Sequence, residues 1–190
     1  MLRVISGLAK GRKLHMVPGS GTRPISDRVK EALFNILGTS VRGTRWLDLF
    51  AGTGSVGIEA LSRGAELALF VDNSREAIET IIKNLDHTRL SDRAEVIRQD
   101  AFEFIRKNSK HIFDFVYIAP PQYEDLWQKA VKMIDAGPRI LTHDAWIIVQ
   151  MHPKENQNIA LRSMVEHDQR RYGNTLLTFY KKSEDESENL

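Results

Sequence analysis

The feature that most constrains this chain is the run Asp48-Leu49-Phe50-Ala51-Gly52-Thr53-Gly54-Ser55-Val56-Gly57, set where an apolar stretch gives way to helical spacing. Glycines at such a junction permit a tight turn and close approach of a ligand to the backbone, and the helix behind them offers unpaired N–H groups. A strand that feeds a helix in this way is buried on both faces, so it needs parallel neighbours and covering helices. The chain supplies both. Apolar runs at Trp46–Phe50, Leu67–Val71, Ala94–Arg98, Phe113–Ile118 and Ala145–Met151 predict strands. Helical spacing predicts helices over Ser55–Arg63, Ser74–Arg89, Ala101–Asn108 and Tyr123–Ala136, with an earlier one from Pro24 to Leu37 that Ser26 caps and Gly38 ends. The segments Ser163–Tyr172 and Thr175–Lys181 flank Gly173-Asn174, a hairpin signal.

An open, mostly parallel sheet that ends in an antiparallel hairpin is the pattern of the Rossmann-like α/β methyltransferase fold that binds S-adenosylmethionine (SAM). The glycines alone do not separate SAM from NAD, because Gly52-x-Gly54-x-x-Gly57 with Asp72 downstream also fits a dinucleotide fingerprint. Asp48 favours SAM: a carboxylate before the glycines pairs with an ammonium, whereas a pyrophosphate loop has no use for a negative charge there. On this reading Phe50, Ala51, Gly52, Thr53 and Gly54 form the ligand loop. Asp72, beside Asn73, accepts ribose hydroxyls, and Asp100 takes the adenine amino group with Ala101 and Phe102 beside the ring. The competing reading of Asp72 and Asp100 is helix N-capping.

After the fourth strand comes Ala119-Pro120-Pro121-Gln122-Tyr123. Two prolines lock φ and remove their N–H groups, and Pro120 drives Ala119 toward an extended conformation. The product is a stiff turn rich in carbonyl acceptors, with an aromatic close by to stack on a base. Methylating an exocyclic amine needs such acceptors, because the nitrogen lone pair is delocalised until its hydrogens are held and the nitrogen pyramidalises. Ala119 and Pro120 carbonyls are the expected acceptors, Gln122 adds an amide, and Tyr123 or Tyr117 stacks. Plain loop punctuation is the alternative.

Charge is uneven along the chain. Residues 1–45 carry nine Lys/Arg against Asp27 and Glu31, a net +7, whereas the whole chain carries +2. A basic arm is the footprint of a polyanion binder, and Arg12, Arg23, Arg28 and Lys30 are the expected phosphate contacts; a merely solvated surface is the other reading. Length and composition (190 residues, 42% hydrophobic, 27% charged) suit one substantial core. The expected organisation is a basic arm over 1–22, a catalytic domain over 23–182 and an acidic disordered tail over 183–190. Zero cysteines exclude disulfides and cysteine nucleophiles. With no apolar run of about 18 residues and no secretory pattern at the start, the cytoplasm is expected and a membrane is not. The six histidines lack ligand spacing, so no metal is expected. No helix suggests a dimer, so a monomer is expected.

The chain resembles the RsmD-type 16S rRNA guanine-N2 methyltransferases, related in motif to N6-adenine DNA methylases. The resemblance rests on Arg3-Val4-Ile5-Ser6-Gly7 with Gly11-Arg12, Arg23-Pro24 with Asp27 through Asn35, Asp48 through Gly54, Glu59 through Ala65, and Arg171-Tyr172-Gly173. It implies SAM-dependent transfer to the N2 amine of one guanine in an assembled or assembling small ribosomal subunit. One departure stands out. The family carries Asp-Pro-Pro-Tyr where this chain has Ala119-Pro120-Pro121-Gln122, which keeps open a SAM- and RNA-binding assembly factor without catalysis. A DNA-adenine or other base methylase and an NAD-dependent oxidoreductase are further alternatives.

Overall fold

The computed structural model describes residues 2–19, 24–108, 110–137 and 140–183. Two compact units divide the chain, Met1–Ala101 and Phe102–Leu190.

In the first unit the basic arm folds back on itself. Arg3 and Lys13 bridge in antiparallel fashion, and the amides of Val4 and Leu14 donate to the carbonyls of Arg12 and Leu2. Helix α1 (Asp27–Leu37) starts at Ser26, whose hydroxyl accepts from the Val29 amide, and stops at Gly38, whose φ of 57° no β-branched residue tolerates. Val29, Leu33, Phe34 and Leu37 bury its apolar face, with Phe34 stacked on Trp46. Strands β1 (Arg45–Leu49), β2 (Leu67–Asp72) and β3 (Ala94–Arg98) run parallel in the order β3-β2-β1. Leu49 pairs with Val71, and Asp72 with Arg98, so the C-terminal ends of the three strands share one edge. Helix α2 (Ser55–Ser62) follows β1 and is buried at every position. Helix α3 (Arg75–Thr88) follows β2; Ser74 caps it by accepting from the Ala77 amide. Fully buried leucines such as Leu33, Leu47, Leu49, Leu61 and Leu69 each contribute about 1.5–3 kcal/mol of burial free energy.

The second unit holds most of α4 (Ala101–Lys107), then β4 (Phe113–Ile118), α5 (Leu126–Ala136), β5 (Leu141–Met151), β6 (Met164–Tyr172) and β7 (Thr175–Lys182). The strand order is β4-β5-β7-β6. β4 and β5 are parallel, while β7 lies antiparallel to both β5 and β6. The β6–β7 hairpin turns at Gly173, with φ 61°. The expected doubly wound pattern ending in an antiparallel hairpin is therefore present. Several boundaries differ from expectation by one to four residues, α1 for example starting at Asp27 after its Ser26 cap and not at Pro24. β5 begins four residues early, because Leu141 pairs with Phe113 across a bulge. α5 begins at Leu126 instead of Tyr123, because Tyr123 and Asp125 take left-handed backbone (φ 65° and 53°) that breaks helical continuity.

Candidate active site

The ligand loop is built by backbone conformation. Phe50, Gly52 and Gly54 all have positive φ (64°, 55° and 72°), so the chain reverses between β1 and α2 within five residues. For Phe50 this costs energy, and such strain is held only where surroundings enforce it. Asp72 enforces it: its Oδ2 accepts from the Gly52 amide at 2.8 Å and its Oδ1 from the Ser74 amide at 2.9 Å. The carboxylate so welds the loop to the start of α3. The cap of α3 is Ser74 and not Asp72, and each Asp72 oxygen retains a lone pair, so these bonds and ligand acceptance are compatible.

Asp48 sits deeper. Its side chain is 2% exposed and its Oδ2 accepts from the Gly57 amide at 3.0 Å. Burial pushes its carboxyl up to about 7 despite the Gly57 N–H, which pulls it down, and the Asp72 charge pushes in the same direction as burial. Asp100, two residues past β3, is exposed on the same strand edge as Asp48 and Asp72; Asn73 is exposed and Ala101 buried. Thr53 is buried, and its carbonyl accepts from the Asn84 side chain at 2.9 Å. Gly57 packs where nothing larger fits, since a Cβ there lies 2.4 Å from the Phe70 ring.

The loop suits a nucleoside carrying a cationic tail. A Cβ on Gly52 meets nothing within 4 Å, so that side of the loop is open. Gly54 begins α2 without a side-chain cap of its own, and Asp48 takes one first-turn N–H, that of Gly57. Carboxylates on one edge match hydroxyls and an ammonium in a way a pyrophosphate does not.

The second unit carries the proline turn and Phe102, whose ring lies under the Lys129 ammonium at 4.1 Å. Ala119 and Pro120 are half-buried; Pro121, Gln122 and Tyr123 are exposed. The Tyr123 amide donates to Glu155 Oε1 at 2.7 Å, and Glu155 Oε2 accepts from the His152 amide at 2.9 Å. Glu155 is itself buried, so it clamps the turn from beneath. Tyr123 remains 65% exposed with its ring 5.7 Å from that of His152, available for stacking. Tyr117 is not available: it is buried, and its hydroxyl donates to Gln150 Oε1 at 2.6 Å.

Lys30 corrects the expected phosphate set. It is fully buried, donates to the Arg3 carbonyl at 2.7 Å and pairs with Glu59 at 3.5 Å, so it cannot reach a phosphate. The basic count over-read it because its partners, Glu59 on α2 and the Arg3 carbonyl, lie far from it in the chain. Arg28 is exposed, and Arg12 is half-exposed with its guanidinium donating to the His87 carbonyl. Arg23 lies outside the described residues.

Sequence reasoning missed three positioning groups: Glu59, Asn84 and Glu155. Glu59 accepts from the Ile5 and Ser6 amides and from Arg63 Nε, fixing the arm to α2. Glu59 and Asn84 were visible as polar residues on otherwise apolar helix faces. Glu155 stands three residues after His152 and behind Pro153, a helix-start spacing, but nothing local pointed to its contact with Tyr123. Among the described residues, no cluster of three His, Cys, Asp or Glu is placed to hold a metal.

A three-stranded parallel half with a strained glycine turn, together with a half ending in an antiparallel hairpin, defines a Rossmann-like methyltransferase fold. Residues 2–181 match the family model described as "Conserved hypothetical protein 95", and the chain belongs to that family, as the RsmD-type resemblance implied. It is 38% identical over 183 residues to "Putative rRNA methyltransferase YlbH" of Bacillus subtilis, covering 95% of this chain and 99% of that one. It is 40% identical over 136 residues, 70% of each chain, to the ribosomal RNA small subunit methyltransferase D of Haemophilus influenzae. A solved Escherichia coli structure described as "Putative methyltransferase yhhF" superposes with a TM-score of 0.84 at 30% identity, covering 95% of this chain and 97% of that one.

Proposed function

We propose that this protein methylates the exocyclic N2 amine of a guanine in 16S rRNA, using SAM, on an assembled or assembling small subunit. The observation that carries the reading is the Phe50–Gly54 loop. Its three left-handed residues and the carboxylates of Asp48 and Asp72 that flank it suit a nucleoside with a cationic tail. The similarity to rRNA methyltransferases, over 95% of this chain in one relative and 70% in another, supports the nucleic-acid half.

When bound, SAM supplies an electrophilic methyl on a sulfonium. Asp48 faces the ammonium end, Asp72 with Asn73 takes the ribose, and Asp100, Ala101 and Phe102 take the adenine, while Ala51, Gly52, Thr53 and Gly54 supply the loop backbone. The Ala119 and Pro120 carbonyls accept the amine hydrogens, Gln122 adds its amide oxygen, Pro121 stiffens the turn and Tyr123 stacks on the base. Arg12, Arg28 and Arg23 contact phosphates. The chain works as a monomer in the cytoplasm, with residues 1–22 as the RNA-facing arm, 23–182 as the catalytic domain and 183–190 as an acidic tail.

The test is transfer from labelled SAM to 30S subunits, with mass spectrometry of the 16S rRNA. One N2-methylguanine is expected, and Gln122→Ala should slow its formation roughly 10²–10³-fold, the cost of losing one such hydrogen bond. Near-normal rates in that variant refute the role of Gln122. Ala119, standing where the family carries Asp, favours a second reading: an assembly factor that binds SAM and RNA without transfer. Tight SAM and subunit binding with no incorporated label would select it.

A further inference from the structure

One side chain joins the arm to the ligand loop. Asn84 lies on the buried face of α3 with no exposed surface. Its Nδ2 donates to the Thr53 carbonyl in the loop at 2.9 Å and to the His15 carbonyl in the arm at 3.1 Å. Its Oδ1 accepts from the His15 amide at 2.7 Å. Both N–H groups and the oxygen of one rigid, planar amide are thereby engaged, two bonds toward the arm and one toward the loop.

We propose that Asn84 is a positioning residue that couples docking of the basic arm to the ligand-competent shape of the Phe50–Gly54 loop, so that SAM binding and arm docking each strengthen the other. The inference rests on the reading of that loop as the SAM site. A loop alternating left-handed residues has competing backbone conformations, and the bond to the Thr53 carbonyl selects one. If the arm lifts, Asn84 loses two of its three partners inside the core, where unsatisfied polar groups are costly, and the side chain must turn to recover them. The Thr53 carbonyl is then released. Reciprocity follows from linkage: whatever free energy arm docking gives to SAM binding, SAM binding returns to arm docking.

The arm has its own seat, which allows it to be disturbed from the far side. Ser62 at the end of α2 accepts the Ala9 amide through its hydroxyl and the Leu8 amide through its carbonyl, and donates to the Ser6 carbonyl. Gly7, at φ 81°, lies so close that a Cβ would come within 1.8 Å of the Ser62 carbonyl oxygen. Gly7→Ala therefore unseats the arm without touching Asn84 or the loop.

The experiment is amide hydrogen exchange on the full chain with and without SAM, alongside calorimetric SAM titration. In the wild type, SAM should slow exchange of the Leu8 and Ala9 amides, which bond to Ser62 and not to Asn84, by roughly 5-fold or more, the lower end of ordinary coupling. Asn84→Ala should abolish that protection of the arm. Gly7→Ala should weaken SAM binding by a similar factor, and should no longer do so when Asn84→Ala is also present. SAM that binds but leaves the wild-type arm unprotected overturns the coupling with no variant needed. Protection that survives Asn84→Ala overturns its assignment to this residue. Absence of SAM binding to the wild type overturns the reading of the loop, and the inference falls with it.

Discussion

Asp48→Asn isolates the electrostatics of the ligand loop. The carboxyl is 2% exposed beneath the glycine turn, and its principal partner in the loop is the Gly57 amide at 3.0 Å. An ordinary aspartate titrates at 3.8, and in the fold this one is raised to about 7. An acid whose folded pKa exceeds its unfolded value holds its proton more tightly when folded, so ionising it costs stability. The cost is absent below pH 3.8, grows by about 1.4 kcal/mol per pH unit up to pH 7, and then levels off near 4 kcal/mol. Asparagine keeps an acceptor for the Gly57 N–H and cannot ionise. Urea unfolding of both proteins from pH 5 to pH 8 is the assay. The difference curve, variant minus wild type, should climb by about 2 kcal/mol between pH 5 and pH 7 and flatten by pH 8. Titrations elsewhere cancel in that difference. Parallel curves would refute the claim that Asp48 is held near neutrality by burial. The same carboxylate should make SAM affinity rise with pH through 7 in the wild type, whereas the variant should show no such rise.

Lys30→Met leaves Glu59 with Arg63 and two amides but without its buried ammonium. Chemical denaturation should show a loss of about 3 kcal/mol, and the salt dependence of RNA binding should not change. Arg28→Ala should lower that salt slope by about one unit with little effect on stability, measured by RNA titration at several salt concentrations. Gly57→Ala drives a methyl into the Phe70 ring and should cost about 1–3 kcal/mol in thermal or urea unfolding. Glu155→Ala frees the Tyr123 amide, so single-turnover methyl transfer should slow by roughly 10²-fold while calorimetric SAM affinity holds; an unchanged rate removes Glu155 from the positioning of the turn.

What the amino-acid order by itself determined is local. Buried apolar runs, the helix cap at Ser26, and the Gly52, Gly54 and Gly57 turn are set by side-chain burial, cap chemistry and permitted φ, each readable within a few residues. The placement of Asp48 and Asp72 at strand ends followed from the same periodicity. Tertiary structure alone decided which charges are structural. Lys30 and Arg28 are two residues apart on one helix, yet the first is buried against Glu59 and the second faces solvent. That outcome depends on α2, some thirty residues away, and no local pattern carries it. Asn84, joining His15 to Thr53, and Glu155, holding Tyr123, are likewise contacts between distant segments. Such groups are specified by the cost of leaving a buried polar atom unpaired, and their partners exist only once the chain has folded.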